Sequence, residues 1–103
     1  MKKQINEPLQ GELLDEDFWV ALEELCRLSQ APPVLVTEMV AYGFLTPRGR
    51  VQTEWQFSGF AVTRVKQVLR LQHDLEVNLQ GAVVIVEMLE ELRQLRHQLR
   101  QLE

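Results

Sequence analysis

Cysteine is almost missing from this chain: Cys26 is the only one in 103 residues, so neither an intrachain disulfide nor a thiol-based metal cluster can form. The two histidines, His73 and His97, stand far apart, and no HExxH or CxxC spacing occurs, so no bound metal is expected. Glycine is scarce, with five residues and no clustered loop of the kind that cradles phosphates. His73 stands beside Asp74, but neighbours on a helix diverge by about 100° and no nucleophile is near, so no catalytic set assembles. A protein that is not an enzyme and needs no cofactor is expected. Long apolar runs are missing too: AVVIV before Glu87 falls far short of the roughly 18 residues that suggest a membrane span. The opening MKKQINEPLQGE is basic, but polar residues follow where a secretory signal needs its apolar core, so a cytoplasmic location is expected.

With 46% hydrophobic residues, the chain can bury one modest core, completed in part by a partner. Its net charge of −4 is unevenly placed. Residues 1 to 43 set Lys2, Lys3 and Arg27 against eight carboxylates, a balance of −5, and the remainder is +1. The front half is the acidic half.

Local patterning divides the chain into 1–14, an N-terminal arm or short edge strand without helical period; 15–77, a small helical domain; and 78–103, a long terminal helix. Asp15 precedes EDFWVALEELCRLS, in which Phe18, Trp19, Leu22, Leu25 and Cys26 recur at helical spacing, and the spacing predicts a helix capped by Asp15. SQAPP ends it, since proline removes a donor and restrains the residue before it. Pro33 then opens PVLVTEMVAYG, which Gly43 closes. In FLTPRGRVQTEWQFS, Pro47 and Gly49 mark a turn, and Val51, Thr53, Trp55 and Phe57 alternate after it, as in a short hairpin. Ser58 or a neighbour is expected to cap GFAVTRVKQVLRLQHDL, whose apolar stripe is Phe60, Ala61, Val65, Val68, Leu69 and Leu75. Trp19, Trp55, Phe57 and Phe60 are expected in the core, whereas Phe18, Tyr42 and Phe44 are expected to stay partly exposed.

Asn78 is a natural cap for the last helix, which at about 24 residues spans about 36 Å. From Ala82 to Leu89 it is apolar on nearly every face. Ile85, Met88 or Leu89, Leu92, Leu95, Leu99 and Leu102 then follow the three-four alternation of a coiled coil, flanked by Glu90, Glu91, Arg93, Arg96 and Arg100. That stripe runs on after the other chain elements have ended, so it is expected to meet a second copy of the chain and form a homodimer.

Two helices, a glycine-closed turn, a tryptophan-bearing hairpin and a third helix leading into a dimerising one resemble the winged helix-turn-helix of MerR-type proteins. YGFLTPRG is similar to their passage from second helix to wing. LEELCRLS, VAYGFLTPRG, EWQFS, RLQHDLEVNLQGAVVIVEMLEEL and LRHQL together resemble the CbpM-type chaperone-modulator family, over roughly residues 13 to 102. The fold implied is mainly α, a MerR-like winged helix-turn-helix with a short β-hairpin wing and a long C-terminal coiled-coil helix. The function implied is binding to the J-domain of a DnaJ- or CbpA-type co-chaperone and inhibition of its activity with Hsp70.

The alternative, a DNA-binding transcription regulator of MerR type, fits the residues less well. PVLVTEMVAYG would lie in the major groove, yet it holds no Arg or Lys and carries Glu38, whereas groove contacts lean on basic and amide side chains. An acidic front is repelled by the phosphate backbone, and only Arg48, Arg50 and Arg64 remain as a basic cluster. J-domains present a basic helix to Hsp70, so the resemblance points to the acidic residues Asp15, Asp17, Glu23, Glu24 and Glu38 as the partner-binding set.

Overall fold

The computed structural model describes residues 18 to 102. The N-terminal arm and Asp15 therefore lie outside the described residues. The elements are strand β1 (Trp19–Ala21), helix α1 (Leu22–Ser29), helix α2 (Pro33–Ala41), a 3-10 turn (Gln52–Glu54), strand β2 (Gln56–Ser58), helix α3 (Gly59–Leu75) and helix α4 (Leu79–Leu102). Short helices, a small antiparallel sheet and one long terminal helix give the mainly α, MerR-like winged helix-turn-helix read from the sequence. The described residues fall into two compact units, one ending at Lys66 and one beginning at Gln67.

In the first unit the chain departs from its local period at the start. Phe18 and Trp19 were expected on a helix capped by Asp15, but the helix begins at Leu22 behind Ala21, and Trp19–Ala21 is extended. The reason is non-local: Trp19, Val20 and Ala21 pair in antiparallel register with Ser58, Phe57 and Gln56. Tryptophan and valine suit a pleated, half-buried surface, and the ladder buries Val20 and Phe57 to 7% and 1% exposure. No periodicity in a window of eleven residues reports a partner 37 positions away.

The helix-turn-helix follows its sequence signals closely. α1 ends where Gln30 turns left-handed (φ 59°), and Ala31 N–H donates to the Cys26 carbonyl at 3.0 Å. The Ser29 hydroxyl, buried in this turn, donates to the Leu25 carbonyl at 2.6 Å, so its polarity is satisfied. Pro33 is the first residue of α2, where its missing donor costs nothing. Gly43 (φ 80°) ends the passage out of α2, letting Phe44 N–H reach back to the Met39 carbonyl at 3.0 Å.

The wing is shorter than the alternation implied. Gln52–Glu54 forms a 3-10 turn, and a single bridge joins Arg48 to Gln56 through bonds of 3.0 and 2.9 Å. Trp55 packs edge-to-face on Phe57, with centroids 6.0 Å apart. Two aromatic assignments reverse: Phe44 is buried at 1% exposure, while Phe60 is 52% exposed. Phe44 is covered because the Arg64 guanidinium lies 3.8 Å over its ring, a contact between residues 20 apart in sequence.

In the second unit the Asn78 side chain accepts a 2.7 Å hydrogen bond from Gly81 N–H and caps α4 as its position suggested. A side chain at Gly81 would crowd the Asn78 oxygen at 3.1 Å, so the glycine serves this cap. Val68, Leu79, Ala82, Val83 and Val86 are buried. Leu75, assigned to the apolar stripe of α3, is instead 55% exposed at the end of its helix, just before Glu76 turns left-handed (φ 55°).

Candidate partner-binding site

Among the proposed partner-binding residues, Asp15 and Asp17 lie outside the described residues, Glu23 and Glu24 occupy the first turn of α1, and Glu38 is exposed on α2. Sequence neighbours on a helix diverge, so Glu23 and Glu24 have different surroundings. Glu24 turns to Arg27, whose Nε donates to it at 3.0 Å and whose Nη2 closes a second bond. Hydrogen bonding to Arg27 holds the Glu24 carboxyl below the usual range, and the same bond holds Arg27 above its own. Glu23 instead lines a groove of about 380 Å³ with Ala21, Leu22, Gln52 and Thr53.

The structure also revises where the acidity lies. Between residues 18 and 66, Glu23, Glu24, Glu38 and Glu54 face Arg27, Arg48, Arg50, Arg64 and Lys66, so the helix-turn-helix unit is close to neutral. Of the −5 of the front half, residues 1 to 17 hold −3 and residues 18 to 43 hold −2, which a balance of +3 over residues 44 to 66 offsets. Within this unit the solvent face of α2 carries Val34, 62% exposed, and Glu38, and Tyr42 at its end is 47% exposed. No Arg or Lys lies on α2.

Two of the three arginines expected as a basic cluster are engaged with rings. The Arg48 guanidinium lies 3.5 Å over Trp19 and that of Arg64 3.8 Å over Phe44, while Arg50 is exposed. Local spacing could not have shown either contact, because each ring is 20 or more residues away in sequence. His73 and Asp74, expected to diverge, do meet: Nδ1 lies 3.1 Å from the Asp74 carboxylate on an exposed surface, made possible by side-chain reach. Cys26 is half-buried, and burial pushes its thiol up, away from the reactive thiolate. Among the described residues no group of three or more His, Cys, Asp or Glu side chains could hold a metal. Nor, among them, is any helix long and apolar enough to cross a membrane.

In the second unit, the structure brings Ile85, Met88, Leu89, Leu92 and Leu95 together along one apolar groove of about 460 Å³, with Glu91 at its edge. Met88, Leu92 and Leu95 are 64%, 43% and 50% exposed. Leu99 and Leu102 continue outward, at 63% and 84% exposure.

A helix-turn-helix, a short wing and a long following helix are the plan of a MerR-type protein, and the family model described as MerR HTH family regulatory protein matches residues 20–103. Relatives narrow this further. The chaperone modulatory protein CbpM of Pseudomonas entomophila is 33% identical over 75 residues, which cover 73% of this chain and 74% of that protein. Those of Coxiella burnetii and Pseudomonas putida are 27% identical over 103 residues and 31% over 75, covering 94% and 74% of their own lengths and 100% and 73% of this one. The chain belongs to the CbpM chaperone-modulator family, within the MerR helix-turn-helix class.

Proposed function

We propose that this protein is a non-catalytic, cytoplasmic chaperone modulator that binds the J-domain of a DnaJ- or CbpA-type co-chaperone and inhibits its activity with Hsp70. The observation that carries the reading is the surface of α2. In a helix-turn-helix that reads DNA, this helix meets base edges and phosphates, and here its exposed positions offer Val34, Glu38 and the adjoining Tyr42. An apolar and acidic face suits a basic protein helix and repels a polyanion. Kinship to proteins named chaperone modulatory protein CbpM supports the same assignment. Asp15, Asp17, Glu23, Glu24 and Glu38 are its acidic contacts, with complementarity acting chiefly on the association rate.

The protein acts as a homodimer. Ile85, Met88, Leu89, Leu92, Leu95, Leu99 and Leu102 form the seam, an exposed leucine stripe that a second copy covers. The domain plan is then an arm (1–14), a winged helix-turn-helix (15–77) and a dimerisation helix (78–103).

Calorimetric titration of the full chain into an isolated CbpA-type J-domain tests this, at low and moderate salt. Saturable binding is expected, weakened by the double substitution Glu23→Lys, Glu38→Lys and by salt. Absence of binding to both CbpA- and DnaJ-type J-domains overturns the reading. A second reading, a MerR-type DNA-binding regulator, draws on the near-neutral charge of the helix-turn-helix unit and on exposed Arg50 in the wing turn. It requires saturable, strongly salt-dependent binding to duplex DNA that Arg48→Glu with Arg50→Glu abolishes.

A further inference from the structure

The groove of about 380 Å³ beside the first turn of α1 is made by two stretches of chain that the sheet brings together. Ala21 pairs with Gln56, which sets the start of α1 near the 3-10 turn that precedes β2. That turn decides what lines the groove. A strand points neighbours to opposite faces, so the alternation read from the sequence would part Gln52 from Thr53. The 3-10 turn is closed by Glu54 N–H on the Val51 carbonyl at 2.8 Å and Trp55 N–H on the Gln52 carbonyl at 3.2 Å, and in it neighbours diverge by only about 120°. Both residues therefore reach the groove. From α1 comes Glu23. Its neighbour Glu24 is taken up by Arg27, but among the described residues no hydrogen bond or ion pair engages the side chain of Glu23, Gln52 or Thr53, and all three are exposed. The groove thus offers one unpaired carboxylate from α1 and two neutral acceptors, an amide carbonyl and a hydroxyl, from the wing turn. Leu22 and Ala21 add apolar surface, and among the described residues no Arg or Lys lines it.

From this set the geometry points to a seat for one arginine side chain of a protein partner. Its guanidinium meets the Glu23 carboxylate and the side-chain oxygens of Gln52 and Thr53, while its methylene stem lies on Leu22 and Ala21. A carboxylate on one element and neutral acceptors on another suit a planar group with five donors in a fixed fork, which bonds to both at once; a compact ammonium is a point charge and gains little from the second set. A phosphate backbone is repelled by Glu23. The inference rests on the chaperone-modulator reading only for which protein brings the arginine. It adds Gln52 and Thr53 to a surface on which the sequence marked carboxylates alone, and it separates two of those carboxylates by how they act. Glu38 stands on the open face of α2 and acts by charge; Glu23 acts by shape as well, because its groove has a second wall. Neutral acceptors work only at contact range, so they prolong the bound state without speeding encounter.

Two measurements decide it. In amide NMR spectra of the full chain, N-acetylarginine amide should shift the backbone amides of Leu22, Glu23 and Thr53 and the side-chain amide of Gln52. N-acetylcitrulline amide, its neutral isostere, should not. Equal shifts from both, or none from either, overturn the seat; equal shifts from N-acetyllysine amide with a free side-chain amine overturn the arginine assignment; shifts as large around Glu38 as around Glu23 show that the probe reads any bare carboxylate, and the groove falls. In the J-domain titration, Gln52→Ala with Thr53→Val should weaken binding about tenfold, the effect of losing bonds to a charged group. Because this pair leaves the net charge unchanged, the loss should appear in the dissociation rate with the salt slope unaltered, and Thr53→Ser alone should bind as wild type does. The variants are checked for wild-type dispersion in the same spectra. If the arginine shifts appear but the Gln52, Thr53 pair binds the J-domain as wild type does, the partner assignment falls. If Lys2→Gln with Lys3→Gln moves the Glu23 and Thr53 amides in the absence of any probe, the chain's own arm fills the groove, and the partner assignment falls in the same way. If wild type binds no J-domain, the proposed function fails, while the arginine and citrulline spectra still decide the groove.

Discussion

Gly49 sits at φ 114° in the wing turn, and a side chain there would lie 2.6 Å from the Glu54 carbonyl oxygen. Its neighbour Arg48 makes the bridge to Gln56 and stacks on Trp19, so a shift of the backbone here disturbs both contacts. Gly49→Ala is expected to destabilise the fold by about 1–3 kcal/mol, read from urea midpoints, and to alter Trp fluorescence. Asn78→Ala removes the oxygen that accepts from Gly81 and should cost about 1 kcal/mol, with Asn78→Asp retaining most of the cap. Glu24 gives a pH signature. Its folded carboxyl is depressed by Arg27, so its contribution is present above the unfolded carboxylate pKa and is lost as pH falls through the folded one. The small stability difference between wild type and Glu24→Gln should therefore exist at neutral pH and vanish in acid, as measured by paired denaturation curves. The two bonds to Arg27 are exposed, so the effect is a minor one.

At the scale of elements, α4 carries its charges in two blocks along the leucine seam. Glu87, Glu90 and Glu91 precede Arg93, Arg96 and Arg100. Parallel pairing would set acid beside acid and base beside base, whereas antiparallel pairing sets each block against its opposite. If α4 pairs with a second copy as proposed, the pair is therefore expected to be antiparallel. In a Cys26→Ser background, chains bearing Met88→Cys should cross-link with chains bearing Leu99→Cys in preference to themselves; symmetric cross-links would indicate the parallel form. Leu92→Asp with Leu95→Asp should give a folded monomer in sedimentation, since both side chains are already 43% and 50% exposed in the single chain. The two-stranded sheet is the opposite kind of element, three residues per strand and joined across 37 positions. Its stability rests on Phe57, and Phe57→Ala should cost about 3–5 kcal/mol, enough to unfold so small a unit.

On the scale of the molecule, the distribution of charge matters more than its sum. A net −4 suggests an acidic protein, but the unit from residue 18 to 66 is nearly balanced, and the acidic excess lies on either side of it, −3 over residues 1 to 17 and −2 over residues 67 to 103. The proposed co-chaperone binding should therefore weaken with salt in two parts, one due to residues 1–17 and one to Glu23 and Glu38. A titration series with Asp15→Asn, Asp17→Asn against Glu23→Gln, Glu38→Gln separates them through the salt slope. If neither pair changes that slope, the acidic residues take no part in the docking.

Much of the plan was legible because its signals are local. Pro33, Gly43, Asn78 and the boundary at Gly59 mark helix ends through backbone chemistry that acts within one turn, and the three-four spacing of Ile85 to Leu102 needs no partner to be recognised. The same holds for the missing bases on α2, which is a matter of composition. By contrast, Trp19–Ala21 became a strand, Phe44 went inside, and Arg48 and Arg64 settled on rings. Each of these depends on residues 20 or more positions apart being brought into contact, and a guanidinium on a ring or a ladder across 37 residues leaves no periodic trace in the chain. The residues on their own determine where helices start and stop and which chemistry is absent; folding decides which side chains share a cleft, because that depends on distances the chain does not possess until its core has closed.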